Sequence, residues 1–154
     1  MVWTVRAATA FYFLTYAFRV ADRRGAARLL WTLGCAAYLG HVWAAFHFVH
    51  HWSHQAALAD TARQTQELMG TAVASGLYFN YLFTLVWLGD VIAEWWNVSK
   101  PRWAAAAVHG FMAFMFVNGA IVFARGAIRW FSIAAAGGVF IAWLSTRRLH
   151  SRAQ

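Results

Sequence analysis

Hydrophobic residues fall into five runs along the chain, and short polar segments separate these runs. A helix needs about 20 residues to cross a hydrocarbon core about 30 Å thick, and most of the runs come close to that length. We therefore predict an all-α integral membrane protein, a single domain with five transmembrane helices in a compact bundle. The predicted spans are 2–19, 29–52, 71–95, 103–124 and 127–146.

The first run is the shortest, and Arg6 followed by apolar residues imitates a signal peptide. No small-x-small cleavage site precedes Arg19, so we expect this run to remain as a helix.

The segment 54–70 is longer than a simple connection requires. It is polar, rich in Ala and Gln, and free of Gly and Pro before Gly70, so good helix formers dominate it. We expect the second span either to continue outward as a helix or to turn into a second helix on the outer surface. Gly70 is the expected stop.

Composition supports the membrane assignment. The chain of 154 residues is 62% hydrophobic and 12% charged, against roughly 45–50% and 25% in soluble domains. The single Cys35 excludes an internal disulfide. The net charge of +8 comes from basic residues that lie in short clusters between the apolar runs. This pattern indicates membrane topology, and we expect no nucleic-acid partner.

Basic residues also predict the orientation, because Lys and Arg are retained on the cytoplasmic side. With the N-terminus outside, nine basic residues lie inside and only Arg6, Arg63, Arg125 and Arg129 lie outside. The nine are Arg19, Arg23, Arg24, Arg28, Lys100, Arg102, Arg147, Arg148 and Arg152. We predict N-terminus out and C-terminus in, in a bacterial plasma membrane, with the lipid bilayer and a second copy or a membrane complex as partners.

Histidines give the strongest chemical signal. On one continuous helix, four of them would share a face, with two pairs at the i, i+4 spacing that lets two imidazoles bind one ion. These four are His47, His50, His51 and His54. Imidazole binds zinc, copper and iron, and Asp60 and Glu67 could add outer ligands. We predict a transition-metal site at the outer surface with a redox or electron-transfer function, in a metal-dependent oxidoreductase or a subunit of one. The alternative is that these histidines only favour the membrane interface.

The segments 47–51 and 50–54 have the patterns H-x-x-H-H and H-H-x-x-H. They resemble one histidine box of membrane desaturases and hydroxylases. Those families have several boxes on different helices, whereas this chain has one, so no function is carried over. The small residues Ala36, Gly40 and Ala44 predict close approach of another helix, which would direct the histidine face into the protein.

A second polar group lies towards the inner side. Five residues of the third span share a stripe at helical spacing, and His109 of the fourth span has nearly the depth of Asp90. The stripe is Asn80, Thr84, Trp87, Asp90 and Glu94. We predict that Asp90, Glu94 and His109 are proton-relay candidates, with Asp90 and His109 acting as a pair. The alternative for Glu94 is that it only reaches the interface or pairs with Lys100 or Arg102.

Two further functions remain open. Haem b could bind between His41 and His109, or between His41 and Met115, in a haem-carrying subunit of a respiratory or redox complex. Alternatively, the outer histidines, His41 at mid-membrane depth and the inner Asp90 could form a proton or metal-ion conduit without catalysis.

Overall fold

The structure is a computed structural model that describes residues 2–119, 130, 133–134 and 136–138. Within these residues the chain is helical and contains no β-strand, which confirms the all-α prediction. The helices are α1 (Val2–Val20), α2 (Arg24–Phe48), α3 (His54–Met69), α4 (Gly76–Trp95) and α5 (Arg102–Val117). Most of the predicted fifth span, 127–146, lies outside the described residues. Residues 120–124 of the predicted fourth span also lie outside them.

Two short turns reverse the chain at the same end of the helices. Asp22 (φ 54°) and Asn97 (φ 53°) adopt the left-handed conformation, which Asp and Asn tolerate better than most residues. The backbone N–H of Arg23 donates to Phe18 O, and that of Val98 donates to Ala93 O. As a result, α1 runs antiparallel to α2, and α4 runs antiparallel to α5.

The segment after α2 forms a separate helix, which is one of the two outcomes expected from the sequence. Helix α2 ends at Phe48, and His51 (φ 47°) and Trp52 (φ 59°) turn the chain. The Ser53 hydroxyl then accepts a hydrogen bond from Ala56 N at 3.2 Å and caps α3. Gly70 ends α3 in the left-handed conformation (φ 74°), as predicted.

Helix α1 packs against α2, α2 against α4, and α4 against both α3 and α5. The core is aromatic, and its largest fully buried side chains are Trp31, Trp87 and Met112. Gly34 allows the closest approach, because a Cβ there would lie 2.9 Å from Trp87 Cζ2. The contact predicted through Ala36, Gly40 and Ala44 is not formed at two of these positions within the described residues. Ala36 is exposed, and a Cβ at Gly40 would meet no described atom within 4 Å.

The helices therefore have two distinct ends. We call the end with Arg19, Arg24 and Lys100 the basic end, and the end with His50 and His54 the histidine end. Within the described residues, two helices, α2 and α4, are long and apolar enough to cross a membrane by length and composition. Helix α5 is apolar but shorter over its 16 residues.

Candidate functional site

Polar side chains from four helices meet at the basic end. We call this group the basic-end cluster: Tyr16 and Arg19 of α1, Trp31 of α2, Asp90 and Glu94 of α4, His109 of α5, and Lys100 of the connection before α5. Two ion pairs join its members, one between Arg19 and Glu94 and the other between Lys100 and Asp90. The cluster therefore ties together segments that are far apart in the chain.

Hydrogen bonding fixes the tautomer of His109. A guanidinium only donates hydrogen bonds, so His109 Nε2 accepts one from Arg19 at 3.0 Å. The other ring nitrogen, Nδ1, then carries the proton and donates to Tyr16 Oη at 3.1 Å. His109 is thus held as a neutral ring, and it can accept a proton at Nε2 only when Arg19 moves away.

Asp90 is the most deeply buried carboxylate of the cluster, and the residue is 5% exposed. Trp31 Nε1 donates to its Oδ2 at 3.1 Å, and the Lys100 ammonium donates to its Oδ1. Both carboxylate oxygens therefore have a donor, as a buried charge requires.

The structure corrects two pairings expected from the sequence. Asp90 and His109 are not hydrogen-bonded to each other in the described part of the chain, because Lys100 occupies the carboxylate and Arg19 and Tyr16 occupy the ring. Lys100 pairs with Asp90, whereas Glu94 pairs with Arg19 of α1. Glu94 is therefore part of a contact between α1 and α4 and does not merely reach the interface.

The histidine end contains a cavity of about 560 Å³ between the helices, which we call the histidine-end cavity. Much of its wall is apolar, but polar side chains from α2, α3 and α4 also line it. They include Tyr38, His41, His50, Asp60, Gln64, Asn80 and Thr84. Asn80 and Thr84, the outer residues of the predicted α4 stripe, thus line the cavity. Trp87 and Asp90 of the same stripe are buried.

The four histidines predicted as one helical face do not share a helix. Helix α2 ends between His47 and His50, so the i, i+4 geometry that suggested chelation is not formed. His47 stacks on Trp43 with ring centroids 4.9 Å apart, and His51 lies exposed in the turn. His54 Nδ1 is hydrogen-bonded to Tyr81 Oη at 3.0 Å.

The acidic residues proposed as outer ligands have other partners. On α3, Asp60 and Glu67 both lie beside Arg63, and Asp60 also accepts from Gln64 Nε2 at 2.9 Å. Among residues 2–119 and the few later ones described, no group of three or more His, Cys, Asp or Glu is placed to hold a metal ion.

The two haem-ligand pairs differ in their positions. His41 Nδ1 is hydrogen-bonded to Thr4 Oγ1 at 3.2 Å near the start of α1, whereas His109 contacts Tyr16 near its end. Twelve residues separate Thr4 from Tyr16, which corresponds to about 18 Å along a helix. His41 and His109 are therefore not brought together, while His41 and Met115 both line the histidine-end cavity.

Aromatic rings connect the cavity to the basic-end cluster. Tyr38 of the cavity wall stacks on Trp87 with centroids 5.7 Å apart, and Trp87 packs on Trp31 at 5.1 Å. Trp31 in turn donates to Asp90. The Trp87 indole N–H is fully buried and has no hydrogen-bond acceptor among the described residues. Among the fully buried side-chain nitrogen and oxygen atoms of the described residues, it is the one without a hydrogen-bond partner.

Sequence reasoning missed Tyr16, Arg19 and Trp31 as site residues. Arg19 contributed only to the predicted membrane orientation. Its spacing from Tyr16 and Tyr12 nevertheless places the three residues on one face of α1. That spacing was the available signal. No family model, curated protein or solved structure matches this chain.

Proposed function

We propose that this chain is a five-span integral membrane protein, N-terminus outside and C-terminus inside, that conducts protons between its two ends. The observation that carries the proposal is the position of Asp90. This buried carboxylate is linked through Trp31, Trp87 and Tyr38 to the histidine-end cavity, and through Lys100 to the basic end. Ionisable residues inside membrane bundles typically mark ion pathways and proton relays.

Exposed apolar side chains support the membrane location. They cover α2, α4 and α5, and include Leu29, Leu33, Leu82, Leu85, Leu88 and Phe114. Soluble monomers rarely expose apolar surface this extensively, and lipid would cover it. The basic end would face the cytoplasm, because Lys and Arg are retained there.

The proposed transfer uses the groups in order of depth. A proton enters the histidine-end cavity, where His50 and Asp60 can accept it. An indole N–H only donates, so the proton would reach Asp90 along water molecules that accept from the otherwise unpartnered Trp87 N–H. Protonation makes the Asp90 carboxyl neutral, so its attraction for the Lys100 ammonium weakens. Asp90 then gives the proton up at the basic end and pairs with Lys100 again.

The test is proton flux into vesicles that contain the purified full chain and a trapped pH indicator, driven by a potassium gradient with valinomycin. Asp90→Asn keeps the shape and one acceptor oxygen but cannot carry a proton. It should slow the flux by roughly 100-fold, within the range contributed by proton-transferring groups. Glu94→Gln should slow it less, because Glu94 lies closer to the end of α4. Glu67→Gln on the exposed surface of α3 is the matched control.

Flux through the wild-type protein no faster than through protein-free vesicles would overturn the proposal, as would equal flux in the wild type and Asp90→Asn. If Asp90→Asn does not fold, Trp87→Phe keeps an aromatic ring and removes the indole N–H together with part of the ring volume, and it should also slow the flux. Size-exclusion profiles establish which variants are folded.

Topology has a separate test. Tags at the two ends should be labelled from opposite sides of the membrane, with the C-terminal tag reached only from the cytoplasmic side. Labelling of both tags from one side would show that the number of spans is even.

A further inference from the structure

Three arginines line a second cavity, which lies at the basic end. It has a volume of about 470 Å³ and is bounded by the turn between α1 and α2 and by the end of α4. We call it the arginine cavity. Arg19, Arg24 and Arg28 contribute the positive charge, and Asp22 and Glu94 the negative charge. The lining charges thus leave one guanidinium in excess.

The ion pairs in this cavity leave guanidinium donors available. The side chains of Arg24 and Asp22 are 89% and 80% exposed, and so exposed a pair is weak and easily exchanged. Arg28 donates to the Glu94 carbonyl at 3.3 Å and lies 4.5 Å from the Trp95 ring centroid. Since each guanidinium has five N–H donors, Arg24 and Arg28 can bind a further acceptor.

The start of α2 adds backbone donors to the same cavity. Gly25, in the first turn, lines the cavity, and a Cβ there would meet nothing within 4 Å. The Arg23 side chain makes no capping hydrogen bond. The first N–H groups of a helix have no acceptor within it and favour an anion.

We propose that the arginine cavity binds a phosphate group, either from the headgroup of an anionic phospholipid or from a soluble phosphate ester. Guanidinium groups bind phosphate oxygens in pairs of parallel hydrogen bonds, and the α2 N-terminus supplies further donors. The cavity is large enough for a phosphate with a small attached group such as glycerol. This site does not depend on proton conduction.

The experiment compares two probes that share one headgroup. Glycerol phosphate is titrated calorimetrically into the detergent-purified full chain. Phosphatidic acid is offered in phosphatidylcholine nanodiscs, and bound lipid is counted by native mass spectrometry. Arg24→Gln and Arg28→Gln should each weaken binding by about tenfold, the effect of losing one charge-assisted hydrogen bond. Arg102→Gln is the matched control, because it removes one exposed charge at the same end and does not line the cavity.

The outcomes separate the two sources. Arginine-dependent binding of phosphatidic acid alone assigns a lipid headgroup, and arginine-dependent binding of glycerol phosphate alone assigns a soluble ester. Both results support the site, as does binding of both probes. Binding of neither probe overturns it. An equal loss in Arg102→Gln also overturns it, because general surface charge would then explain the binding.

Discussion

The two ends of the helix bundle differ in how their polar side chains are held. At the basic end, Asp90 and His109 each have two polar partners and Glu94 pairs with Arg19, and most of those partners come from another helix. At the histidine end, His47 and His51 are exposed, and His54 is hydrogen-bonded to Tyr81 at the surface. The histidines lie close together in the sequence, yet they have fewer polar partners than the charged residues of the basic end, which come from several helices. Contacts between helices decide which residues form a site.

The two ends should differ most in how much stability is lost when a carboxylate is removed. Asp90→Ala should destabilise the protein by about 3–5 kcal/mol, because it leaves Lys100 and Trp31 without their buried partner. Asp60→Ala at the histidine end removes a pair with the exposed Arg63 and should cost about 1 kcal/mol or less. Free energies of unfolding in detergent measure both. Equal losses would mean that the two ends are equally tightly packed.

Glycine substitutions in α2 compare packing along the helix. Gly34→Ala places a Cβ 2.9 Å from Trp87 Cζ2 and 3.2 Å from Phe11 Cβ, and overpacking of this kind costs about 1–3 kcal/mol. Gly40→Ala, closer to the histidine end, should be neutral or stabilise by about 0.5–1 kcal/mol. Gly34→Ala should lower the unfolding midpoint, whereas Gly40→Ala should leave it unchanged or raise it. A loss of stability in Gly40→Ala would instead support the close helix contact that the sequence predicts at Gly40.

Two tyrosine hydroxyls give a finer comparison. Tyr16→Phe removes a partly buried hydrogen bond to His109 and should cost about 1 kcal/mol. Tyr81→Phe removes an exposed hydrogen bond to His54, which water replaces, so its effect should be close to zero. Thermal unfolding of the two variants side by side would show the difference. A larger loss for Tyr81→Phe would contradict the comparison.

A small change is also expected from the double variant with His47→Ala and His51→Ala. Both side chains are exposed, so stability should change by no more than about 0.5 kcal/mol for each substitution. Metal analysis of the same protein tests the metal prediction. Stoichiometric copper, iron or zinc in the wild type that is lost from the variant would show that these histidines bind a metal. Unchanged metal content would leave them as surface residues.

Much of the fold could be predicted from the sequence. The helical class, the separate helix after α2 and the role of Gly70 follow from local properties: apolar run length, helix propensity and glycine's tolerance of positive φ. The burial of Trp87 and Asp90 also agrees with the stripe on α4. These features depend on neighbours within one helix.

The candidate site could be predicted only in part, and its pairings depended on tertiary structure. The sequence predicted Asp90, Glu94 and His109 as candidates, but their hydrogen-bond and ion-pair partners differ from the expected ones. The pattern within one helix does not determine how that helix is aligned with its neighbours. Arg19 reaches Glu94 and His109 only because the tight turn at Asp22 places α1 beside α2. The predicted histidine face does not form for a related reason. Helix α2 ends at Phe48 and Ser53 caps a new helix, so the histidines do not lie on one continuous helix.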